Sequence, residues 1–260
     1  MINEYYFPFG QKLLQVKQLD RSPKKAFVLG VYASAVHARW LDKKGKQIVS
    51  ALAVASEPEI FWEGENADQI ISKMIIPNEL GELTTPNNRN LNGPSGRALV
   101  DLYLKPLKLE KNNTWLCDIL PESRMNEHQC KAIKEYYTPD IISKYNLSPA
   151  TIPQFNKSDL NSLVRQQEIL EELELSKADT IILLGDLPIH WFLRFHNKEY
   201  KKLSDFGEKA ETYGQPHEIK INNKNYKVIP LCHPRQAARL GNSNFKWGIL
   251  HDIWVKQKEQ

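Results

Sequence analysis

The sequence has only three cysteines among its 260 residues, and none of them lies in a C-x-x-C motif. This pattern argues against a disulfide framework and offers no cluster of thiolate ligands for zinc. We therefore expect no metal, no cofactor and a reducing, cytoplasmic setting. No apolar run approaches the roughly 20 residues that cross a bilayer, and Met1 to Gly10 lack the features of a signal peptide. No membrane partner is predicted.

Other signals are weak or missing as well. The net charge of +4 permits a nucleic-acid partner without requiring one. No G-x-G-x-x-G follows the first apolar run, so a nucleotide-binding module of Rossmann type is not expected. There is no internal repeat and no clear linker. We expect one domain spanning residues 1–260, acting as a monomer.

Short, almost continuous apolar runs predict buried parallel strands. Four such runs are Ala26–Val31, Trp115–Ile119, Thr180–Leu184 and Lys227–Leu231. Ile48–Val54 is a fifth candidate, interpreted as a strand at an edge of the sheet. Because helical patterns alternate with these runs, the sequence predicts an α/β fold, a three-layer α/β/α sandwich around a central four-stranded, mostly parallel sheet.

Three apolar stripes with helical spacing lie between or after the strands. They begin at Ile70, at Leu160 and at Phe245, and Ser158 or Asp159 is the expected N-cap of the second helix. Residues 131–157 are the least regular stretch. They are interpreted either as an insertion or as a helical cap.

Parallel sheets bind ligands outside the carboxyl ends of their strands. The segments that follow the predicted strands are Gly30 to Ser34, Cys117 to Ile119, Gly185-Asp186 and Cys232-His233-Pro234-Arg235. A further loop, Gly93-Pro94-Ser95-Gly96-Arg97, precedes a helix. Together these segments define the region in which a functional site is expected.

In this order, the segments resemble the motifs of the uracil-DNA glycosylase superfamily over nearly the whole chain. Phe27 to Gly30 is similar to its first motif, and Asn92 to Arg97 is similar to its G-P-[AS]-G-[KR] loop. Trp115 to Pro121 resembles the strand that carries the base-reading Asn, and Ile181 to Gly185 the penultimate strand. Leu231 to Arg235 resembles the final H-P-S-type motif.

The resemblance implies an enzyme that flips a nucleotide out of DNA and hydrolyses the bond between base and sugar. His233 would then stabilise the negative charge on the departing base. The alternative is a histidine that only caps the end of a strand. No lysine lies in the motifs to form a Schiff base, so a monofunctional glycosylase without strand cleavage is expected.

The chain departs from the family at its first motif. The acid that positions water is replaced by Val31 and Tyr32. Tyr32 is interpreted either as a wall of the base pocket or as a core residue. Ser34 stands where one branch of the family has a bulky Tyr beside carbon 5 of uracil, and Leu91 replaces the stacking Phe. With Gly30, these residues are the predicted base pocket.

Asp118 stands in the place of the base-reading Asn. A protonated carboxyl group can donate to N3 of cytosine and accept from its amino group, and proton transfer to N3 would help the base to leave. The sequence therefore favours a cytosine-type base, including hydroxymethylated or glucosylated cytosine, with a role in phage defence as one implication. The alternative is an ordinary solvated or salt-bridged residue at a strand end.

DNA contacts are expected from the loops. Ser95, Arg97, Arg235 and Arg239 are candidate phosphate contacts, and Gln236 or Leu240 would fill the gap left by the flipped base; each arginine is alternatively a solvated surface charge. Lys201 and Lys202 are interpreted as a solvated face.

Two other functions remain open. They are a uracil-DNA glycosylase in base-excision repair and a DNA-binding protein that reads a modified base without releasing it.

Overall fold

A computed structural model describes residues 4–240 and 245–259. The described residues form eight strands, listed here in chain order: β1 Ala26–Tyr32, β2 Ala35–Leu41, β3 Gln47–Ser56, β4 Glu82–Thr84, β5 Thr114–Leu120, β6 Thr180–Leu184, β7 His217–Ile221 and β8 Lys224–Leu231.

The helices are α1 Ala67–Ser72, α2 Pro94–Leu99, α3 Glu127–Tyr136, α4 Pro139–Tyr145, α5 Leu163–Ser176, α6 Asp186–Pro188, α7 Arg194–His196, α8 Pro234–Ala237 and α9 Phe245–Glu259. Two π-helical segments, Val100–Leu104 and Ile189–Leu193, continue α2 and link α6 to α7. No helix in the described part of the chain is long and apolar enough to cross a membrane.

The chain is organised in two compact units. The first contains the described residues of Met1–Val16, Ala33–Pro94 and Glu122–Asn156. The second contains those of Lys17–Tyr32, Ser95–Pro121 and Lys157–Gln260. Each unit has its own sheet.

The first unit is built on a three-stranded antiparallel sheet of order β3-β2-β4. Its core contains Trp40, Leu52 and Trp62, and α3 and α4 supply half-buried side chains that pack against this core. The predicted strand Ile48–Val54 is confirmed as the centre of β3. Its expected place at an edge of the parallel sheet was wrong, because β3 belongs to this separate antiparallel sheet. Residues 131–157 contain α4 and the second half of α3.

The second unit is built on a five-stranded sheet of order β5-β1-β6-β8-β7, flanked by helices. The first four strands are parallel and β7 is antiparallel to β8. The predicted α/β class and the four predicted strands are confirmed, but the expectation of a four-stranded sheet was wrong. β7 was missed because only two of its residues, Ile219 and Ile221, are buried.

A two-residue turn joins β7 to β8. Asn222 and Asn223 have φ values of +45° and +67°, and Ile221 pairs with Lys224 across the turn. Asparagine tolerates this left-handed backbone better than other residues that carry a side chain, and paired positive φ values give hairpins the twist of the strands. The Asn-Asn pair was therefore the sequence signal for the fifth strand.

The first turn of α5 also corrects the sequence interpretation. Its N-cap is Ser162, whose Oγ accepts a hydrogen bond from the Arg165 amide at 3.2 Å, rather than Ser158 or Asp159. Residues 157–160 form a separate 3-10 turn. Leu163 and Val164 extend the apolar pattern along the sequence, but both are exposed.

We expect Gly214→Ala to destabilise the second unit more than Gly45→Ala destabilises the first. Both glycines have positive φ, +66° and +75°, so each alanine carries a backbone strain of about 1–2 kcal/mol. The two sites differ in the space around the added Cβ. At Gly45 no atom lies within 4 Å, whereas at Gly214 the Cβ would lie 2.5 Å from the Trp254 ring. We expect this clash to cost about 1–3 kcal/mol in addition to the backbone strain. Denaturant unfolding of both variants measures the difference, and equal losses would contradict the role of the Trp254 contact.

Candidate functional site

The carboxyl ends of four parallel strands meet along one edge of the five-stranded sheet in the second unit. Asp118 of β5 lies towards one side of this edge and His233, which follows β8, towards the other. β1 and β6 lie between them. Strands in a sheet are about 4.8 Å apart, which separates β5 from β8 by roughly 14 Å.

Asp118 is buried, with 4% of its surface exposed. Among the described residues, its only hydrogen bonds are made by its backbone, and its carboxyl group accepts none. Burial raises the pKa of Asp118 to about 7; nearby Arg165 opposes this shift and Glu172 adds to it. The group therefore holds its proton much closer to neutral pH than an ordinary aspartate does.

Arg165 of α5 holds the end of β5 in place. Its Nη2 donates to the carbonyl oxygen of Asp118 at 2.7 Å, and its Nε donates to that of Ile119 at 3.1 Å. Its Nη1 pairs with Glu172 at 3.0 Å, and Glu172 in turn accepts from the Trp115 indole at 3.0 Å. The guanidinium also donates to Glu168 at 2.8 Å and to the Cys117 sulfur at 3.2 Å, and it forms no hydrogen bond with the Asp118 carboxyl group.

His233 is both a helix cap and a potential hydrogen-bond donor. It is the N-cap of α8, and its Nδ1 accepts from the Arg235 amide at 3.2 Å. Since Nδ1 is an acceptor, the proton of the neutral ring lies on Nε2. Burial, with a smaller contribution from Arg235, lowers the pKa of His233 to about 4. At neutral pH the uncharged ring therefore has its Nε2–H left to donate.

The backbone just before His233 is fixed by two buried tyrosines. The Tyr103 hydroxyl donates to the Cys232 carbonyl at 2.7 Å, and the Cys232 amide donates to the Tyr213 hydroxyl at 2.9 Å. Tyr213 lies 2.8 Å from Nδ1 of His251, whose Nε2 lies 2.9 Å from the Leu102 carbonyl oxygen. A single tautomer, with the His251 proton on Nε2, satisfies every group in this chain.

Cys232 is a structural residue. Its side chain is fully buried, and burial raises the pKa of its thiol. Its sulfur lies 3.6 Å from the Tyr103 hydroxyl oxygen and 3.9 Å from the Trp247 carbonyl oxygen. A buried thiol that keeps its proton is a poor nucleophile.

The tip of β6 closely approaches His233. Gly185 has a φ of +92°, and a Cβ at this position would lie 3.3 Å from the Cβ of His233. The Gly185 amide also donates to the Leu231 carbonyl at 2.7 Å. A glycine at this strand end therefore allows the β6 and β8 tips to pack together.

Between the two ends of the site lies the tip of β1. Gly30 pairs in register with Asp118, so β1 places no side chain beside that carboxyl group. Val31 is buried and Tyr32 is half-buried. Burial raises the pKa of Tyr32, which also responds to the charges of Arg235 and Asp118. Tyr32 is thus within electrostatic reach of groups from both sides of the edge.

The predicted DNA contacts differ in their surroundings. Arg235 is exposed and forms no ion pair with the described residues. Arg239 is exposed but is paired with Asp252. The side-chain oxygen of Gln236 accepts a hydrogen bond from the His233 amide at 3.1 Å. Ser95 and Arg97 are half-buried. Of this group, Arg235 is the most available cation, and the phosphate contacts stay predictions.

Two predicted pocket residues, Ser34 and Leu91, belong to the first unit. Both are half-buried, and the Ser34 amide donates to Glu57 at 3.1 Å. The loop that follows Leu91 is held by Asn92, whose side chain bonds both the amide and the carbonyl of His37.

Sequence reasoning missed the residues that hold the two strand tips. The sequence contains one indication of Arg165 and Glu172. Both lie on the buried face of α5 with Ile169, so two charged residues interrupt its apolar stripe. Tyr103, Tyr213 and His251 had none, since they come from segments far apart in the chain. Their convergence on Cys232 is a property of the fold.

Comparison with known proteins adds no relative. No protein-family model matches the chain, and no curated protein matches it.

We expect Arg165→Met to destabilise the protein by about 3–5 kcal/mol, because it leaves Glu172 buried without its partner. The matched control is Arg239→Met, which breaks the exposed pair with Asp252 and should cost less than about 1 kcal/mol. Denaturant unfolding at pH 7 measures both values. Similar losses in the two variants would show that the Arg165 network contributes no more than a surface pair.

Asp118→Asn should stabilise the protein increasingly as the pH rises. In the folded wild type the pKa of Asp118 is raised to about 7. The wild type therefore loses stability as the pH rises from the ordinary pKa of an aspartate to about 7. Asparagine does not ionise. The unfolding free energy of the variant relative to wild type should therefore rise between pH 4 and pH 8, by up to about 4 kcal/mol. A pH-independent difference would place Asp118 in a solvated setting.

Proposed function

We propose that the protein is a DNA glycosylase of the uracil-DNA glycosylase type, which flips out a cytosine-type base and hydrolyses its N-glycosidic bond. The observation that carries the proposal is the buried, unpaired carboxyl group of Asp118, with a pKa of about 7. It supplies a transferable proton at one strand tip. Neutral His233 offers a hydrogen-bond donor at another tip of the same edge.

The proton on Asp118 favours cytosine over uracil as the leaving base. Cytosine has an acceptor at N3 and an amino donor at carbon 4, so a protonated carboxyl group can donate to the first and accept from the second. Uracil already has a hydrogen on N3 and leaves as a stabilised anion. A base that needs protonation before it leaves is the one for which a carboxylic acid of pKa near 7 is suited.

The bond-breaking step follows from these two groups. Asp118 transfers its proton to N3, and the C1′–N1 bond breaks with its electron pair moving onto the base. The base then leaves uncharged, while the Nε2–H of His233 donates a hydrogen bond to its O2 oxygen. Water adds to the oxocarbenium-like sugar carbon and loses a proton, which restores Asp118 or passes to solvent.

A substituent on carbon 5 of the cytosine is part of the proposal. It rests on the family resemblance alone, which aligns Ser34 with the bulky Tyr that one branch of the family has beside this carbon. Hydroxymethylated and glucosylated cytosines carry such substituents. A protein that removes them would act against phage DNA that contains these bases.

One observation favours a second candidate, a protein that binds a flipped base without releasing it. At the tip of β1, where the family carries its water-positioning acid, this chain has Val31 and Tyr32. Neither side chain is a carboxylate. A reader of modified bases would keep the pocket and lack turnover, and an ordinary uracil-DNA glycosylase of base-excision repair would release uracil instead.

Base release should be measured on duplexes that each contain one uracil, cytosine, 5-hydroxymethylcytosine or glucosylated 5-hydroxymethylcytosine. We expect a cytosine-type base to be released, with kcat/KM falling about tenfold per pH unit above pH 7 as Asp118 loses its proton. Asp118→Asn should lower this release by about 10²-fold or more, because an amide has no proton to transfer. His233→Ala should lower it by about 10²–10³-fold.

Gln167→Ala, an exposed change on α5, is the control and should leave release unchanged. Release of uracil alone would replace the cytosine proposal with the repair enzyme. Tight binding of one modified duplex without release of any base, in wild type and in His233→Ala alike, would establish the reader.

A further inference from the structure

A second cleft in the same unit has no part in the proposed base-removing site. It has a volume of about 550 Å³ and follows β6 in the chain. Its lining is aromatic and basic, and consists of His190, Trp191, Arg194, Phe195, Lys198 and Lys201. A cavity of this size accommodates a nucleotide or a small molecule.

The aromatic residues of the cleft stand on the outer side of a helical segment. Ile189, Phe192 and Leu193 are buried beneath it, while Phe195 is 49% exposed and Trp191 half-buried. Trp191 and Phe195 both line the cleft. Two neighbouring aromatic side chains that the core does not use offer flat apolar surface to a ligand.

The cations of the cleft are not neutralised by the protein. Arg194, Lys198 and Lys201 are exposed, and none of them forms an ion pair with a described residue. The Nη1 atom of Arg194 lies 3.4 Å from Nε2 of His190, and a histidine has no negative charge with which to neutralise the arginine. Glu199 belongs to the same segment but does not line the cleft. Three unpaired positive charges around one cleft attract an anion.

We propose that this cleft binds single-stranded nucleic acid, with a base stacked on Trp191 and Phe195 and the adjoining phosphates held by Arg194, Lys198 and Lys201. Aromatic platforms beside a positively charged groove are how proteins bind single strands without reading their sequence. An acidic peptide would use the cations but would give the aromatic rings of Trp191 and Phe195 no partner. The proposal does not depend on base removal, and it revises the interpretation of Lys201 as a merely solvated charge.

Tryptophan fluorescence can test the stacking directly. The chain has six tryptophans, and five of them, Trp40, Trp62, Trp115, Trp247 and Trp254, are buried. Trp191 is thus the one most able to meet a ligand. Addition of the twelve-residue oligonucleotide dT12 should quench the emission of the wild-type protein, and Trp191→Phe should remove most of that change. Undiminished quenching in Trp191→Phe would overturn the stacking contact.

Affinity is measured by the fluorescence anisotropy of labelled dT12 across a salt series. Phe195→Ala should weaken binding about 5- to 100-fold, while Phe245→Ala, an exposed aromatic of α9, should not. Arg194→Gln/Lys198→Gln/Lys201→Gln should weaken binding and reduce the slope of log affinity against log salt by about 2. The control Lys43→Gln/Lys44→Gln/Lys46→Gln removes the same charge from a hairpin turn in the first unit and should keep the wild-type slope.

Circular dichroism melts verify that the variants remain folded. Equal binding by the cleft variants and their controls would overturn the proposal. So would competition by polyglutamate as strong as that by unlabelled dT12, which would assign the cleft to an acidic protein. Anisotropy of labelled dT12 and release of a base are separate measurements, so failure of base removal and failure of this cleft give different results.

Discussion

The hydroxyl group of Tyr213 connects the end of β8 to the rest of the second unit. It accepts the Cys232 amide and lies within hydrogen-bonding distance of His251. All three residues are buried, and a buried polar group without a partner costs about 1–3 kcal/mol. The Cys232 backbone is therefore confined to the one position that satisfies these groups, and the direction in which His233 leaves the strand follows from that constraint.

A second buried network gives a different result at β5. Arg165 is close enough to Asp118 to lower the pKa of its carboxyl group, yet its hydrogen bonds go to backbone carbonyls and to Glu168 and Glu172. The strand tip is held firmly while the side chain is left without a hydrogen-bonding partner. Because burial outweighs the attraction of the cation, Asp118 remains a weak acid. The two networks thus fix two strand tips and leave one acid and one neutral donor at the edge of the sheet.

The sequence predicted most accurately the strands that are buried on both faces of the sheet. Strands covered on both faces read as continuous apolar runs, so β1, β5, β6 and the buried half of β8 were predicted within one or two residues. β7 was missed because an edge strand with one buried face has a weak pattern, and β2 and β4 because one is interrupted by bulges and the other is three residues long. The start of α5 was misplaced because an apolar stripe does not show which of its members are buried.

The same distinction applies to the site. The sequence singled out His233 and Asp118 because they lie at or after the ends of apolar runs, in segments that resemble the glycosylase motifs. Their pKa values and hydrogen-bond states were beyond the sequence, because they depend on Arg165, Glu172 and a helix cap that only the fold brings near. The aromatic and basic cleft was also missed, since its residues follow no strand motif and its lysines resemble any exposed surface.

The source of His251 has a consequence for how the protein is made. This residue belongs to α9, which follows all eight strands in the chain. During synthesis from the N-terminus, the Cys232 amide and the Tyr213 hydroxyl leave the ribosome before the histidine that completes their hydrogen-bond chain. A nascent chain that stops short of α9 therefore lacks the partner of the Tyr213 hydroxyl, and the hydrogen-bond chain behind the tip of β8 stays incomplete until α9 has been made.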